Sequence, residues 1–320
     1  MNNFFVRLMY EIRASKSFVN RNFNLSKRYW KWGIVFFVYT LANSVTIGFI
    51  GKGIEVFSGT KVDTSYLILY MLIGSILWGY LSIIFEVVAE TVSMERWEGT
   101  IEYTFMAPVK RVTHLLSTCI YAVIYGIIRS IAILIVVKLF FDISLTNANL
   151  LSALMILIIA SISFVGFGIF AAILPLISPE KGSQAIYIFQ SILLMFSGVY
   201  YEIQILPKWM QSVARFSPAT YALKGMRLAI FEGKGIPQLW SQVWPLLIMG
   251  TIMIPLGVYV FGRVEIIAKR TGVLKRSGIN RFSLVNYFII ASLRKSSGIF
   301  SIAYLRAVLG ILVLFLITYS

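Results

Sequence analysis

A catalytic or metal centre needs acids, bases, nucleophiles or soft ligands brought together, and this sequence carries few of them. One histidine, His114, and one cysteine, Cys119, rule out a disulfide framework and leave too few ligands for a zinc, haem or iron-sulfur site. His114 stands beside Thr113 at the start of an apolar run, with no obvious carboxylate partner. It reads as an interface residue whose ring reaches toward polar surroundings, not as a general acid or base. The chain also lacks a GxxxxGK[ST] phosphate loop, so no Walker A nucleotide site is expected.

The ionisable residues that remain are informative by position. If Thr91 to Phe105 is helical, Glu95, Glu98 and Glu102 fall within about 60° of one another at 100° per residue, a clustering of like charge that a basic partner surface would relieve. Arg129 lies in the middle of an apolar run, where an arginine costs about 2.5 to 3.5 kcal/mol and needs a carboxylate, a carbonyl or water. Glu86 is the nearest carboxylate by sequence, but it lies near the inner end of its own run, while Arg129 is about 21 Å beyond the inner start of the next. Glu202 or Glu232 is therefore the expected partner of Arg129, and both Arg129 and Glu86 are expected to be structural, not proton carriers.

These charges stand out because so much else is apolar. Hydrophobic residues make up 58% of the 320, charged residues only 13%, and the mean hydropathy is +0.83, values far from those of soluble domains. A helix needs about 20 apolar residues to cross roughly 30 Å of hydrocarbon. Six stretches qualify: Trp32 to Ile50, Tyr66 to about Glu90, Leu115 to about Phe141, Leu150 to Ser178, Gly182 to Tyr201 and about Leu239 to Gly262. Polar, turn-forming clusters such as GKGIEVFSGTKVD, FDISLTNAN and SPEKG separate them. The expected fold is an all-α polytopic membrane protein, with kinks in helices four and six at Pro175 and Pro255.

A net charge of +16 would point to nucleic acid on a soluble chain. Here residues 1 to 31 hold seven Lys or Arg against Glu11, and residues 263 to 281 hold six against Glu265. Both flanks should be cytoplasmic, which agrees with six crossings and excludes a nucleic-acid partner. The first apolar run begins only at residue 32, so no cleavable signal peptide is expected. Phe5, Leu8, Ile12, Val19 and Phe23 share one stripe of the first 31 residues, with Arg7, Arg13, Arg21 and Arg28 elsewhere. That is the pattern of an amphipathic helix lying in the membrane interface, or of a helix packed on a partner.

Two loops break the expected charge pattern. The loop between the second and third runs, centred on residues 91–113, is cytoplasmic by parity, yet Glu90 at its edge with Glu95, Glu98 and Glu102 outnumber Arg96, Lys110 and Arg111. Residues 202–236 are external by parity yet hold five basic residues against two acidic. In the latter, Trp209, Phe216, Tyr221 and Phe231 interleave with Lys208, Arg215, Lys224 and Arg227, which predicts short helices dipping into the outer interface and packing on the bundle.

In these two loops the chain resembles the membrane subunit of ABC-2 type ATP-binding-cassette exporters. MERWEGTIEYTFMAPVKRV matches a Glu, a Gly-Thr-Ile/Leu-Glu core and a proline before a basic residue, here Glu95, Gly99, Thr100, Ile101, Glu102, Pro108 and Lys110. FSGVYYEIQILPKWM and its continuation match Ser-Gly-Val, Leu-Pro-x-Trp and a Pro-Tyr-Arg series, here Ser197, Gly198, Val199, Leu206, Pro207, Trp209, Pro218, Tyr221 and Arg227. The resemblance covers about residues 1 to 275 and leans toward the drug and antibiotic branch.

What the resemblance implies is a six-helix, type V exporter-like transmembrane domain over residues 32–262. It would pair with a second copy or a similar permease, and it would dock its first loop on a cytosolic ATPase that supplies ATP and Mg. The coupling residues would be Glu95, Glu98, Gly99, Thr100, Glu102 and Pro108. Helices two and five would line the path, with Tyr70, Trp78, Phe85, Phe189, Met195 and Phe196 facing an amphipathic drug, antibiotic peptide or lipid-like substrate. Pro207, Trp209, Pro218, Tyr221 and Arg227 would shape the external re-entrant segment. The expected setting is a multi-pass protein of a bacterial cytoplasmic membrane, in contact with lipids, its N-terminus cytoplasmic.

Residues 282–320 depart from the family. The apolar run from Ile299 to Tyr319, interrupted by Arg306, is long enough for a seventh crossing or an interfacial hairpin, and it repeats the layout of the chain's beginning. The competing function, an ion-coupled secondary transporter, would need carboxylates near the midplane on paired broken helices. Glu86 near an end and no evident inverted repeat fit that reading poorly.

Overall fold

The computed structural model describes residues 2–58, 64–141 and 147–272; the tail from 282 to 320 and the last basic residues, Lys275, Arg276 and Arg281, lie outside the described residues. The described residues form helices and turns, with no strand among them. In order they are α1 (Asn2–Arg28), α2 (Trp30–Ser58), α3 (Thr64–Glu98), α4 (Ile101–Met106), α5 (Arg111–Phe141), α6 (Leu150–Ala171), α7 (Ile173–Ile177), α8 (Pro179–Ser197), α9 (Lys208–Ala214), α10 (Pro218–Phe231) and α11 (Trp240–Arg270).

Among the described residues five spans are long and apolar enough to cross a membrane: Trp30–Gly53, Tyr66–Glu98, Arg111–Phe141, Leu150–Ile177 and Ile236–Arg270. The expected fifth crossing differs. In α8 only Gln184–Ser197 is apolar, a length of about 21 Å. The polar Pro179–Ser183 turn occupies its start, and Gly198 ends it in the left-handed region at φ 68°, where a side chain would be strained. The proline expected to disturb helix four does so. Pro175 has no N–H to donate to residue 171, and the helix breaks at Ala172 into α6 and α7. Pro255 lies inside α11, which continues past its expected end at Gly262 to Arg270.

The core lies where α3, α6, α10 and α11 meet. Tyr80, Phe85, Phe164 and Phe261 are fully buried there, and the Tyr80 hydroxyl hydrogen-bonds to Ser161. Helices α6 and α11 approach closely because glycines on each make room for the side chains and backbone of the other. A Cβ on Gly166 would lie 2.5 Å from Met253 Cβ, and one on Gly250 would lie 2.7 Å from Ile162 Cγ2. Ser163 adds a hydrogen bond to the Leu246 carbonyl.

On the other side α1 and α2 follow α5 along its length. Thr113 donates to Glu11 at 2.6 Å, Ser117 donates to Ser15 at 2.9 Å, Ser26 meets Tyr121, and Phe49 packs on Phe141. The amphipathic stripe expected in α1 divides. Phe5, Leu8 and Ile12 stay exposed, while Phe23 packs edge-on against Tyr121.

Candidate functional site

The segment joining α3 to α5 is built around one glycine. Gly99 takes φ 74°, stopping α3 and sending the chain into the six-residue α4. That break separates the three acids expected on one helical face. Glu95 and Glu98 belong to the end of α3, whereas Glu102 starts a new helix. Glu95 turns inward and is 5% exposed; Glu98, Thr100, Glu102 and Pro108 face outward, with Gly99 half-buried.

The inward turn of Glu95 has a physical cause. Its Oε1 accepts from Arg21 of α1 at 2.8 Å and lies 3.2 Å from His114 Nε2 of α5. The Phe18 ring packs edge-on against His114 and lies under the Arg21 guanidinium. His114 is therefore not an interface residue without a carboxylate, as its sequence neighbours implied; it is buried against Glu95 from the preceding spanning helix. The clustered charge is relieved for Glu95 inside the chain itself.

The outward side carries what sequence reasoning missed. Tyr103 is 77% and Met106 82% exposed, with Trp97 and Met94 exposed nearby. No periodicity marks them, because α4 is too short to show one. A cleft of about 360 Å³, lined by Arg7, Tyr10, Glu11 and residues 107–110, separates this segment from α1. Behind it Arg96 is buried and donates to the Leu176 carbonyl, tying the end of α3 to α7.

At the opposite end, Tyr70 and Arg227 come together. The Arg227 guanidinium lies 3.4 Å from the Tyr70 ring centroid and donates to the carbonyls of Gly198 (3.1 Å) and Val199 (2.7 Å). Gly74 permits this, since a Cβ there would sit 2.2 Å from the Val199 oxygen. Burial pulls the Arg227 pKa down, and neighbouring Tyr70, Tyr66 and Glu202 push it back up. Pro207 and Pro218 open α9 and α10, and α10 buries its small residues Ala219, Ala222, Gly225 and Ala229 in the bundle. Tyr221 is half-buried against the core, and exposed Trp209 packs on Phe196. Arg227→Ala is expected to destabilise the protein by about 2 kcal/mol, with Arg227→Lys recovering only part because a lysine cannot span both carbonyls and the ring. Thermal unfolding in detergent measures both.

The other residues expected on a path separate. Phe85 has no exposed surface and packs among Phe164, Phe167 and Phe189, so it is a core residue; its face of α3 meets α6 and α8 instead of open space. Trp78 is half-buried against the core, and Met195 is exposed. Besides Ile192 and Met195, α8 exposes a polar stripe, Gln184, Tyr187 and Ser191, legible from its helical spacing. Tyr187 lies within electrostatic reach of Glu86, Glu90 and Tyr39.

Arg129 does not pair with Glu202 or Glu232. It donates to the Phe36 carbonyl at 2.6 Å and to the Thr40 hydroxyl, both on α2, and it is close enough to Glu86 to interact with it electrostatically. The oblique packing of long helices brings together depths that counting along each run keeps apart.

No curated protein matches the chain significantly. A family model described as ABC-2 type transporter matches residues 13–231, from the middle of α1 through α10, and so takes in α4, the Gly99 break and the Arg227 clamp together. A membrane-embedded helical bundle matched over more than half its length in this way belongs to the ABC-2 type transporter family.

Proposed function

We propose that this chain is the permease subunit of an ATP-driven exporter and that α4 docks on a separate cytosolic ATPase, which holds ATP and Mg. The observation that carries the reading is the exposure of Tyr103 and Met106 on a short helix beside Glu98 and Glu102. Aromatic and methionine side chains left open to solvent on a well-anchored element are typical anchors of a protein interface. On this reading the α4 end is cytoplasmic, and the exposed apolar side chains of α1 rest on the inner leaflet of the cell membrane.

The substrate path runs along the outward faces of α3 and α8 and is completed by a second copy or a similar permease. Glu86, Glu90, Gln184, Tyr187 and Ser191 support this placement, because carboxylates and polar groups on a spanning helix face water or a partner, not lipid. With Met195 at its upper part, such a path suits an amphipathic drug, peptide or lipid-like molecule. ATP binding would close the two ATPase halves, move α4, and switch the path from inward to outward access.

The test uses the purified complex with its ATPase. Tyr103→Ala/Met106→Ala removes only exposed groups, so the melting temperature should hold while affinity for the ATPase falls about thirtyfold, the loss for about 2 kcal/mol of interface anchor. Glu98→Lys/Glu102→Lys should weaken the same step. Unchanged ATP turnover and transport in both variants would remove the docking reading.

A further inference from the structure

A six-residue helix cannot hold its own shape, and its last carbonyls need donors from elsewhere. In α4 the Tyr103 carbonyl accepts from the Ala107 N–H, while the donors to Thr104 and Phe105 come from one side chain. Arg111, the first residue of α5, donates from one terminal nitrogen to the Thr104 carbonyl at 2.7 Å and from the other to the Phe105 carbonyl. Its remaining nitrogen, Nε, donates to Glu265 Oε1 at 2.9 Å. Glu265 belongs to α11, is 5% exposed, and also accepts from Lys269 at 2.7 Å. Both cations stand over the Phe105 ring, at 4.5 and 5.0 Å from its centroid.

A single guanidinium therefore joins the end of α4 to the end of α11. The covalent chain links α4 only to α3 and α5. Helix α11 in turn is locked to α6 by the close contacts at Gly166 and Gly250 and by the Ser163 bond to Leu246. Without Arg111, the Lys269 ammonium over the Phe105 ring would be the one polar contact left between α4 and that pair of helices among the described residues.

We propose that Arg111 and Glu265 are positioning residues that carry the displacement of α4 into α11, and through it into α6, so that both sides of the bundle respond to one docked helix. The proposal rests on the reading that α4 docks on the ATPase. It requires the planar fork of arginine, since lysine supplies the charge without the three divergent donors. It also requires an acceptor that holds a full charge, which glutamine lacks.

The experiment compares Arg111→Lys, Glu265→Gln and, as control, Arg270→Gln, an exposed cation at the same end of α11, in the purified complex with its ATPase. The first two are expected to keep ATP turnover within about twofold of the parent while transport per ATP falls about fivefold, a coupling loss within the usual range. Combining them should add little to the worse single change, because both break one connection. Arg270→Gln should leave the ratio near the parent value. Hydrogen exchange supplies a readout that a purely structural role would not move: nucleotide should alter protection of residues 262–270 in the parent and not in Glu265→Gln.

An unchanged transport-to-ATP ratio in both clasp variants, or equal nucleotide-dependent protection of 262–270 in parent and Glu265→Gln, overturns the proposal. If Tyr103→Ala/Met106→Ala is uncoupled while Glu265→Gln stays fully coupled, the clasp alone falls. Should the Tyr103/Met106 variant itself behave as the parent, docking and clasp fall together.

Discussion

Arg21→Ala is expected to destabilise the protein by about 3 kcal/mol, the lower end for stripping a buried charge of its partner. The lower end applies because Arg21 is about one-third exposed, whereas Glu95 and His114 are almost wholly enclosed. The alanine variant would leave the Glu95 carboxylate enclosed with His114 alone, and its Oε2 already has no hydrogen-bond partner among the described residues. The sign of a second substitution separates this account from simple loss of packing. Adding Glu95→Gln should recover stability, since the neutral amide no longer demands a cation. Thermal unfolding of the purified protein reads both variants, and a double variant less stable than Arg21→Ala would show that the charge is not what matters.

Gly166→Leu should destabilise by at least about 3 kcal/mol, the upper part of the range for overpacking. A Cβ at this position would approach Met253 Cβ at 2.5 Å and the Met253 carbonyl carbon at 2.8 Å, and backbone atoms cannot rotate aside. Only separation of α6 from α11 makes room. Gly262→Ala on α11 is the matched control. Its Cβ would meet nothing within 4 Å, so the change should be neutral or stabilise by a few tenths to about 1 kcal/mol through helix propensity. Equal melting temperatures for the two variants would mean that the α6–α11 contact contributes little.

The spanning helices were legible because apolar runs of about 20 residues have few other uses. Their ends were less so. Nothing in the run up to Glu90 says that α3 continues to Glu98, because a helix leaving the hydrocarbon can turn polar without stopping; only Gly99 stops it. Gly99 and Gly198, singled out through the motifs they belong to, prove to be two of the four described glycines that adopt positive φ, with Gly233 and Gly272.

The side-chain partners were mostly illegible. Glu95 and His114 are 19 residues apart across a turn, and Arg21 lies on a helix whose sequence reads equally well as lying on lipid. Arg129 is held by a backbone carbonyl and a threonine, groups that occur in every helix and so carry no signal. Arg111 and Glu265 are 154 positions apart. Pairs of this kind follow from helix packing, which periodicity describes one helix at a time.

The contact between α6 and α11 also bears on the order in which the protein is made. Helix α6 is complete at Ala171, but the helix that fills its glycine groove begins only at Trp240. While the intervening residues are synthesised, α1, α2, α3 and α5 can already assemble, because their contacts lie within the first 141 residues. Over that interval the groove around Gly166 is open to lipid or to a membrane chaperone, and a nascent chain interrupted before α11 would leave it bare. Among the described residues α11 is the last crossing to be made, so the groove around Gly166 is filled only once Trp240–Arg270 has emerged.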